Sequence, residues 1–356
     1  MAHSGWFTQR FLIGGLSVIS VLTLASCQVS QTELNMPPLS QADPMVIPAG
    51  FPKPAIPTNN PVTPAKVELG RQLFYEVQLS RDNSKSCASC HSEAASFSDA
   101  GNTVSMGVFN QRGSRNAPAL VNLAYDTTFF WDGRASTLED QAVLPILNPV
   151  ELSSDSISVV AKLSSNTFYK ALFGQAFGDE QITMQRIGMA LASFERTMIS
   201  GSSDYDRFMA GDSSALSKSA LHGMQLFNSK QVNCVGCHSG VNFTDNNYHS
   251  TGLAQFYEDQ GRQDVTRNPQ DNGKFRTPSL RNVGLTAPYM HDGSFATLDT
   301  VLGHYREGGK HNQTQDQLIQ RLNISDQDVK DIIAFLNSLT DKNFTQRKEF
   351  SKPANQ

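Results

Sequence analysis

Apolar residues recur at helical spacing in two widely separated stretches of this chain. Ile187, Leu191, Phe194 and Met198 share one helical face, and Val329, Ile332, Ile333 and Leu336 share another. Ser325-x-x-Asp328 supplies a capping start for the second helix. No segment sustains the period-two alternation of a half-buried strand, so the folded part is expected to be mainly α. The N-terminus follows a different pattern. Arg10 precedes a mostly apolar run from Phe11 to Leu24, too short to span a bilayer and suited to an export signal. Small residues then lead to Cys27 in Leu24-Ala25-Ser26-Cys27, which reads as a lipoprotein processing site. Residues 1–26 are therefore expected to be a signal peptide, with lipid on Cys27 and a periplasm-facing protein beyond it. Gln28 after the acylated position favours the outer membrane. Nine of the sixteen prolines fall between Pro37 and Pro64, so residues 27–65 are expected to form an extended, semi-rigid tether.

The rest, about 290 residues, is long enough for two domains. The formal net charge is −4, with acidic and basic residues interspersed, so nothing in the balance suggests a nucleic-acid partner. The cysteines say more. Besides Cys27 there are four, in Cys87-Ala88-Ser89-Cys90-His91 and Cys234-Val235-Gly236-Cys237-His238. C-x-x-C-H is the attachment pattern of c-type haem. Cysteines three apart on a helical turn present both sulfurs to the porphyrin, and the following histidine lies under the iron. A four-cysteine zinc site would place its pairs about 15–20 residues apart, whereas these pairs are offset by 147. Redox dithiols would want a βαβ setting that the pattern does not show. Two covalently bound haems are expected, with His91 and His238 as proximal ligands. Export agrees, since such attachment takes place outside the cytoplasm.

The two halves also repeat. Pro118-Ala119-Leu120-Val121-Asn122 matches Pro278-Ser279-Leu280-Arg281-Asn282, Trp131-Asp132-Gly133 matches His291-Asp292-Gly293, and Thr137-Leu138 matches Thr297-Leu298, all at an offset of 160. One haem per repeat implies two cytochrome c-like domains related by internal duplication, at 66–210 and 211–345. The same offset pairs Pro145 with Tyr305. Proline cannot ligate iron and a tyrosine phenolate can. The first haem is thus expected to keep an open sixth position, and the second to be closed by Tyr305. His304 or Met290 would take that place if Tyr305 were a core aromatic.

The run from Arg115 to Glu151 resembles the bacterial di-haem cytochrome c peroxidases. It contains Phe130-Trp131-Asp132-Gly133-Arg134-Ala135, Leu138-Glu139-Asp140-Gln141 and Asn148-Pro149-Val150-Glu151. Phe194-Glu195-Arg196-Thr197 and the stretch from Arg276 to Leu298 extend the likeness over nearly all of residues 66–340. The resemblance implies that Glu151 is the acid/base for peroxide cleavage, with Gln141 orienting peroxide or water. It implies that Trp131 carries electrons between the haems and that its repeat partner His291 supports the second haem. It also implies a calcium ion between the domains, held by Asn116, Thr286 and the Pro288 carbonyl together with water.

Two positions depart from the ordinary peroxidases. Val108, in Ser105-Met106-Gly107-Val108, stands where they carry the histidine that caps the peroxidatic iron until reduction releases it. Tyr305 stands where they carry the methionine of the electron-transfer haem, and no methionine follows Met290. Both departures are similar to the MauG branch, including relatives that modify copper-binding peptides or proteins, and that branch implies Tyr305 as ligand. An anionic phenolate would lower the potential of the second haem. The leading expectation is an H2O2-driven oxidase of a periplasmic or secreted protein or peptide, acting at tryptophan or tyrosine. The second reading is a detoxifying cytochrome c peroxidase fed by a small periplasmic cytochrome or cupredoxin. A pure electron carrier would gain nothing from an open, acid-equipped iron.

Overall fold

The computed structural model describes residues 43–354, so the expected signal peptide, Cys27 and the first part of the proline-rich stretch lie outside the described residues. Helices carry the fold, as the hydrophobic pattern predicts. The one sheet among the described residues is a two-residue antiparallel pair, β1 (Tyr248–His249) with β2 (Phe275–Arg276). No helix among these residues is long and apolar enough to cross a membrane.

The first domain is built from α1 (Pro64–Tyr75), α2 (Leu138–Leu147), α3 (Ser156–Ser164), α4 (Thr167–Phe177) and α5 (Met184–Arg196). Thr63 caps α1 by accepting from the Lys66 amide, and Pro64 opens it where no amide hydrogen is needed. Ile187, Leu191 and Phe194 of α5, and Met198 just beyond it, are fully buried, so the whole apolar stripe faces the core. α1 crosses α5 at Gly70, where a Cβ would overlap the Ala190 carbonyl. One turn on, Phe74 meets Phe194 edge to face at 5.5 Å.

The second domain repeats this crossing with α6 (Asp204–Met209), α7 (Lys218–Asn228), α8 (Gln263–Thr266), α9 (Leu298–Glu307) and α10 (Asp326–Ser338). α10 starts at a reciprocal Ser325/Asp328 capping box. It buries Ile332 and Leu336, while Val329 and Ile333 pack at the margin of the core. α7 crosses it at Gly223, where a Cβ would overlap the Asp331 carbonyl, and Phe227 meets Phe335 at 5.1 Å. Tyr205 of α6 packs against Phe243 and Phe335 in this second core.

Both ends of the described residues pack on the body. Phe344 and Phe350, beyond α10, lie in the core of the first domain, 5.9 and 6.2 Å from Phe97. The proline-rich stretch is free of helix and strand from 43 to 63, yet it does not stand away from the domains. Phe51 packs on Tyr125 and under Arg281, and the Tyr125 hydroxyl donates to the Pro52 carbonyl. Fully buried Asn60 donates to Glu139 Oε1 and to the Met189 carbonyl. Prolines set the local conformation of this segment, and the few apolar and amide side chains between them dock it as a strap.

Candidate active site

Each C-x-x-C-H sequence folds into a single tight turn, Cys87–Ser89 and Cys234–Gly236. The histidine amide then bonds back to the first cysteine's carbonyl, at 3.0 Å for His91 and 2.9 Å for His238. The four thiols are unpaired. His91 Nδ1 lies 2.7 Å from the Phe97 carbonyl, and His238 Nδ1 lies 3.0 Å from the Phe243 carbonyl. A carbonyl partner requires Nδ1 to carry the hydrogen, which leaves the Nε2 lone pair for a metal. Burial pushes the pKa of both imidazoles down and keeps them neutral, as ligation needs.

Each motif opens on its own cavity. The first, of about 1090 Å³, is the size of a pocket for a large cofactor and is lined by Cys87, Cys90, His91, Gln141, Pro145 and Glu151 among others. The second is smaller and is lined by Cys234, Cys237, His238 and Tyr305. Largely apolar walls, two free thiols and a neutral buried imidazole make a donor set that fits a c-type haem in each.

In the larger cavity, Gln141 and Pro145 lie one turn apart on the same face of α2. Glu151 follows the helix, and its Oε1 accepts from Asn148 Nδ2 at 2.6 Å. Burial raises its pKa, while the Asn148 bond and the charge of Arg134 pull it back. The loop carrying Val108 clamps Glu151 from behind. The Val108 amide donates to the Glu151 carbonyl at 2.8 Å, and a Cβ on Gly107 would overlap that same backbone. Ser105 and Gly107 line the cavity, whereas the Val108 side chain is buried outside its lining.

The same cavity holds a carboxyl whose chemistry the sequence reading did not single out. Glu195, on α5, is fully buried, and its Oε2 has no hydrogen-bond partner. The adjacent Arg196 turns to Glu139 instead, at 2.6 and 2.9 Å. Burial pushes the Glu195 pKa to about 8. The available signal was an acid set among the apolar positions of an otherwise core-facing helix end.

Asn116, Ala117, Pro118, Ala119 and Trp131 line both cavities and form the wall between them. Trp131 Nε1 donates to the Asn116 carbonyl at 2.8 Å, and the Trp131 carbonyl accepts from the Arg276 amide at 2.7 Å. His291 also lines both, with its ring stacked on Phe275 at 3.6 Å. The three residues expected at calcium, Asn116, Thr286 and Pro288, all line the smaller cavity. Asn116 Nδ2 donates to the Asn102 and Thr103 carbonyls, and the Gly101 amide donates to the Ala287 carbonyl, so the segments carrying them meet. Among the described residues, two groups of three His, Cys, Asp or Glu are gathered closely enough for an ion, Cys237/Asp245/His249 beside the smaller cavity and His222/Asp328/Asp331 away from it, and neither includes these three residues.

Of the three side chains the duplication left open for the second haem, Tyr305 and Met290 line its cavity. His304 does not, and its Nε2 is engaged with the Thr251 carbonyl at 2.9 Å. Burial, with the Cys234 and Cys237 sulfurs nearby, drives the Tyr305 pKa up. A ferric iron facing the phenol would reverse that preference.

Comparison with known proteins places both halves of the chain among haem proteins. Residues 64–214 match the di-haem cytochrome c peroxidase family, and residues 220–340 match cytochrome c. Methylamine utilization protein MauG of Methylophilus methylotrophus is 39% identical over 323 residues, covering 90% of this chain and 94% of the relative. Cytochrome c551 peroxidase of Nitrosomonas europaea is 35% identical, covering 79% and 84%. A crystal structure of a MauG-like protein associated with microbial copper homeostasis superposes with a TM-score of 0.82 at 33% identity, covering 86% of this chain and 98% of that one.

Proposed function

The chain belongs to the di-haem cytochrome c peroxidase/MauG family of haem oxidoreductases, and from that premise we propose that it is an H2O2-driven oxidase of a protein or peptide partner. The observation that carries this reading is the contrast between equivalent positions. Pro145 lines the first cavity beside an acid, and Tyr305 lines the second. With Val108 outside the lining and His291 stacked on Phe275 in the shared wall, His91 would hold an iron in the first cavity and leave peroxide a place to bind.

A haem bound there supplies the redox-active iron at which H2O2, two protons and two electrons become two waters. Glu151 takes a proton from one peroxide oxygen and returns it to the other. Its raised pKa suits both halves of that task, and Asn148 fixes the oxygen that does not act. Gln141 orients the peroxide, and the apolar wall keeps bulk water from competing. Trp131, in the wall shared by the cavities, would carry electrons between the haems held on either side. Tyr305 on the second iron would stabilise its oxidised form, which suits storage of oxidising equivalents until a tryptophan or tyrosine of the partner supplies electrons. Calcium at Asn116, Thr286 and the Pro288 carbonyl would fix the wall between the cavities. Lipid on Cys27 would hold the enzyme at the periplasmic face of the outer membrane. The likeness to cytochrome c551 peroxidases supports a second reading, peroxide detoxification fed by a small electron-donor protein.

Stoichiometric H2O2 added to the diferric holoprotein separates the two. The oxidase reading expects rapid spectral change without prior reduction and a long-lived near-infrared band from charge shared between the haems. Reaction only after one haem is reduced, followed by fast turnover with a reduced cytochrome c, would establish the detoxifying reading instead.

A further inference from the structure

We propose that Arg276 binds a propionate of the first haem and joins that haem's edge to the wall of the second cavity. This rests on haem occupying both cavities and not on the oxidase reading. Arg276 belongs to β2, is buried, and lines both cavities. One end of its guanidinium is engaged: Nη1 lies 3.0 Å from Asp126 Oδ2 and 3.4 Å from Asn246 Oδ1. Nε is buried with no partner at all. A buried guanidinium hydrogen is costly unless an acceptor meets it.

The other arginines of the larger cavity already have carboxylate partners within the wall, or reach solvent. Arg115 gives Nε and Nη2 to Asp259 and Nη1 to Asp132. Arg134 gives Nη1 to both oxygens of Asp132 and is partly exposed to solvent. Arg276 is left with an unpartnered, desolvated donor on a side chain that lines the space the cofactor takes. Each haem brings two carboxylates, the anions that the planar guanidinium fork fits best.

Asp126 decides which haem is served. Its side chain is buried, lines the smaller cavity and lies outside the lining of the larger one. A propionate approaching Arg276 from the smaller cavity would meet this like charge, so the larger cavity is the favoured side. The Arg276 amide is bonded to the Trp131 carbonyl, so the salt link runs beside the indole expected to carry electrons.

Arg276→Gln and Arg276→Lys, made in the full holoprotein and studied at rest without peroxide, test this. In Arg276→Gln the propionate bending band of the first haem should shift in the resonance Raman spectrum. Its midpoint potential should fall, because an uncompensated carboxylate favours the ferric state, while the second haem keeps its propionate band and loses potential only through the unpaired Asp126. Arg276→Lys, which retains the charge but not the fork, should shift the band with a smaller fall in potential. It carries the test alone if the glutamine variant does not mature. An unchanged band and potential for the first haem, or changes confined to the second, would overturn the assignment.

Discussion

Burial raises the pKa of two carboxyls that line the larger cavity, and their surroundings give them different tasks. Glu151 has Asn148 and Arg134 to temper the effect of burial, whereas Glu195 has little beyond its neighbour's charge. Glu151 can therefore trade a proton during reaction, and Glu151→Gln should slow the first reaction with H2O2 by about 10²–10⁴-fold. Stopped-flow measurement checks this, and the resting spectrum should be unchanged. Glu195 should instead register in stability. Its pKa is about 8 in the fold against 4.5 in the free side chain, so between those values the folded state keeps a proton that the unfolded chain has lost. Stability must then fall as pH rises through that window, by up to about 1.4 kcal/mol per pH unit, and level off above it. Glu195→Gln removes the dependence. Its advantage over the natural protein in chemical unfolding should widen from pH 5 to pH 8, and a constant difference would refute the assignment. Glu151 was legible because it stands in a recognisable motif. Glu195 stands in one too, but nothing in sequence shows that Arg196 turns away and leaves it alone.

At the scale of elements, both domains rest on one device, a glycine that lets two helices cross with their backbones in contact. Gly70 and Phe74 of α1 meet Ala190 and Phe194 of α5, and Gly223 and Phe227 of α7 meet Asp331 and Phe335 of α10. A methyl group at either glycine must push backbone aside, so Gly70→Ala or Gly223→Ala should cost about 1–3 kcal/mol in chemical unfolding. Gly174 in α4 provides the contrast. A Cβ there has only the Glu180 side chain within reach, at 3.8 Å, so Gly174→Ala should stabilise by about 0.5–1 kcal/mol. Equal effects at all three would show that the crossings are not tight. The stripes of α5 and α10 were readable because each repeats large apolar residues at helical spacing. Their partners were not, since a glycine at the point of closest approach leaves no mark in a hydrophobicity pattern. The duplication was legible only where its offset holds constant, from Pro118 onward, although the glycine–phenylalanine pair before each haem motif belongs to the same repeat.

In the molecule as a whole, the end of the chain completes the first haem site. Phe97 offers its carbonyl to His91 Nδ1, and its ring is held by Phe344 and Phe350 from a segment that has already passed through the second domain. The Tyr75 hydroxyl pins that segment by donating to the Phe350 carbonyl at 2.8 Å. A polar tail with two isolated phenylalanines gives no sequence signal of such a role, because the contact joins residues about 250 apart and depends on where the second domain leaves the chain. Neighbours that hold a ligand's hydrogen-bond partner tune the metal as well as the fold. Phe350→Ala should therefore cost about 3–5 kcal/mol through the cavity it leaves. It should also let the Phe97 carbonyl drift, which broadens the first haem's low-temperature spectrum while the second haem's signals stay sharp. The second haem has its own equivalent, since His238 is held by Phe243, and Phe243 packs on Tyr205, Phe227 and Phe335 inside its own domain. Equal disturbance of both haems by Phe350→Ala would mean general loosening. Disturbance confined to the first would show that the peroxide-facing haem is oriented by the chain's last turn, and that this domain cannot be completed without the other.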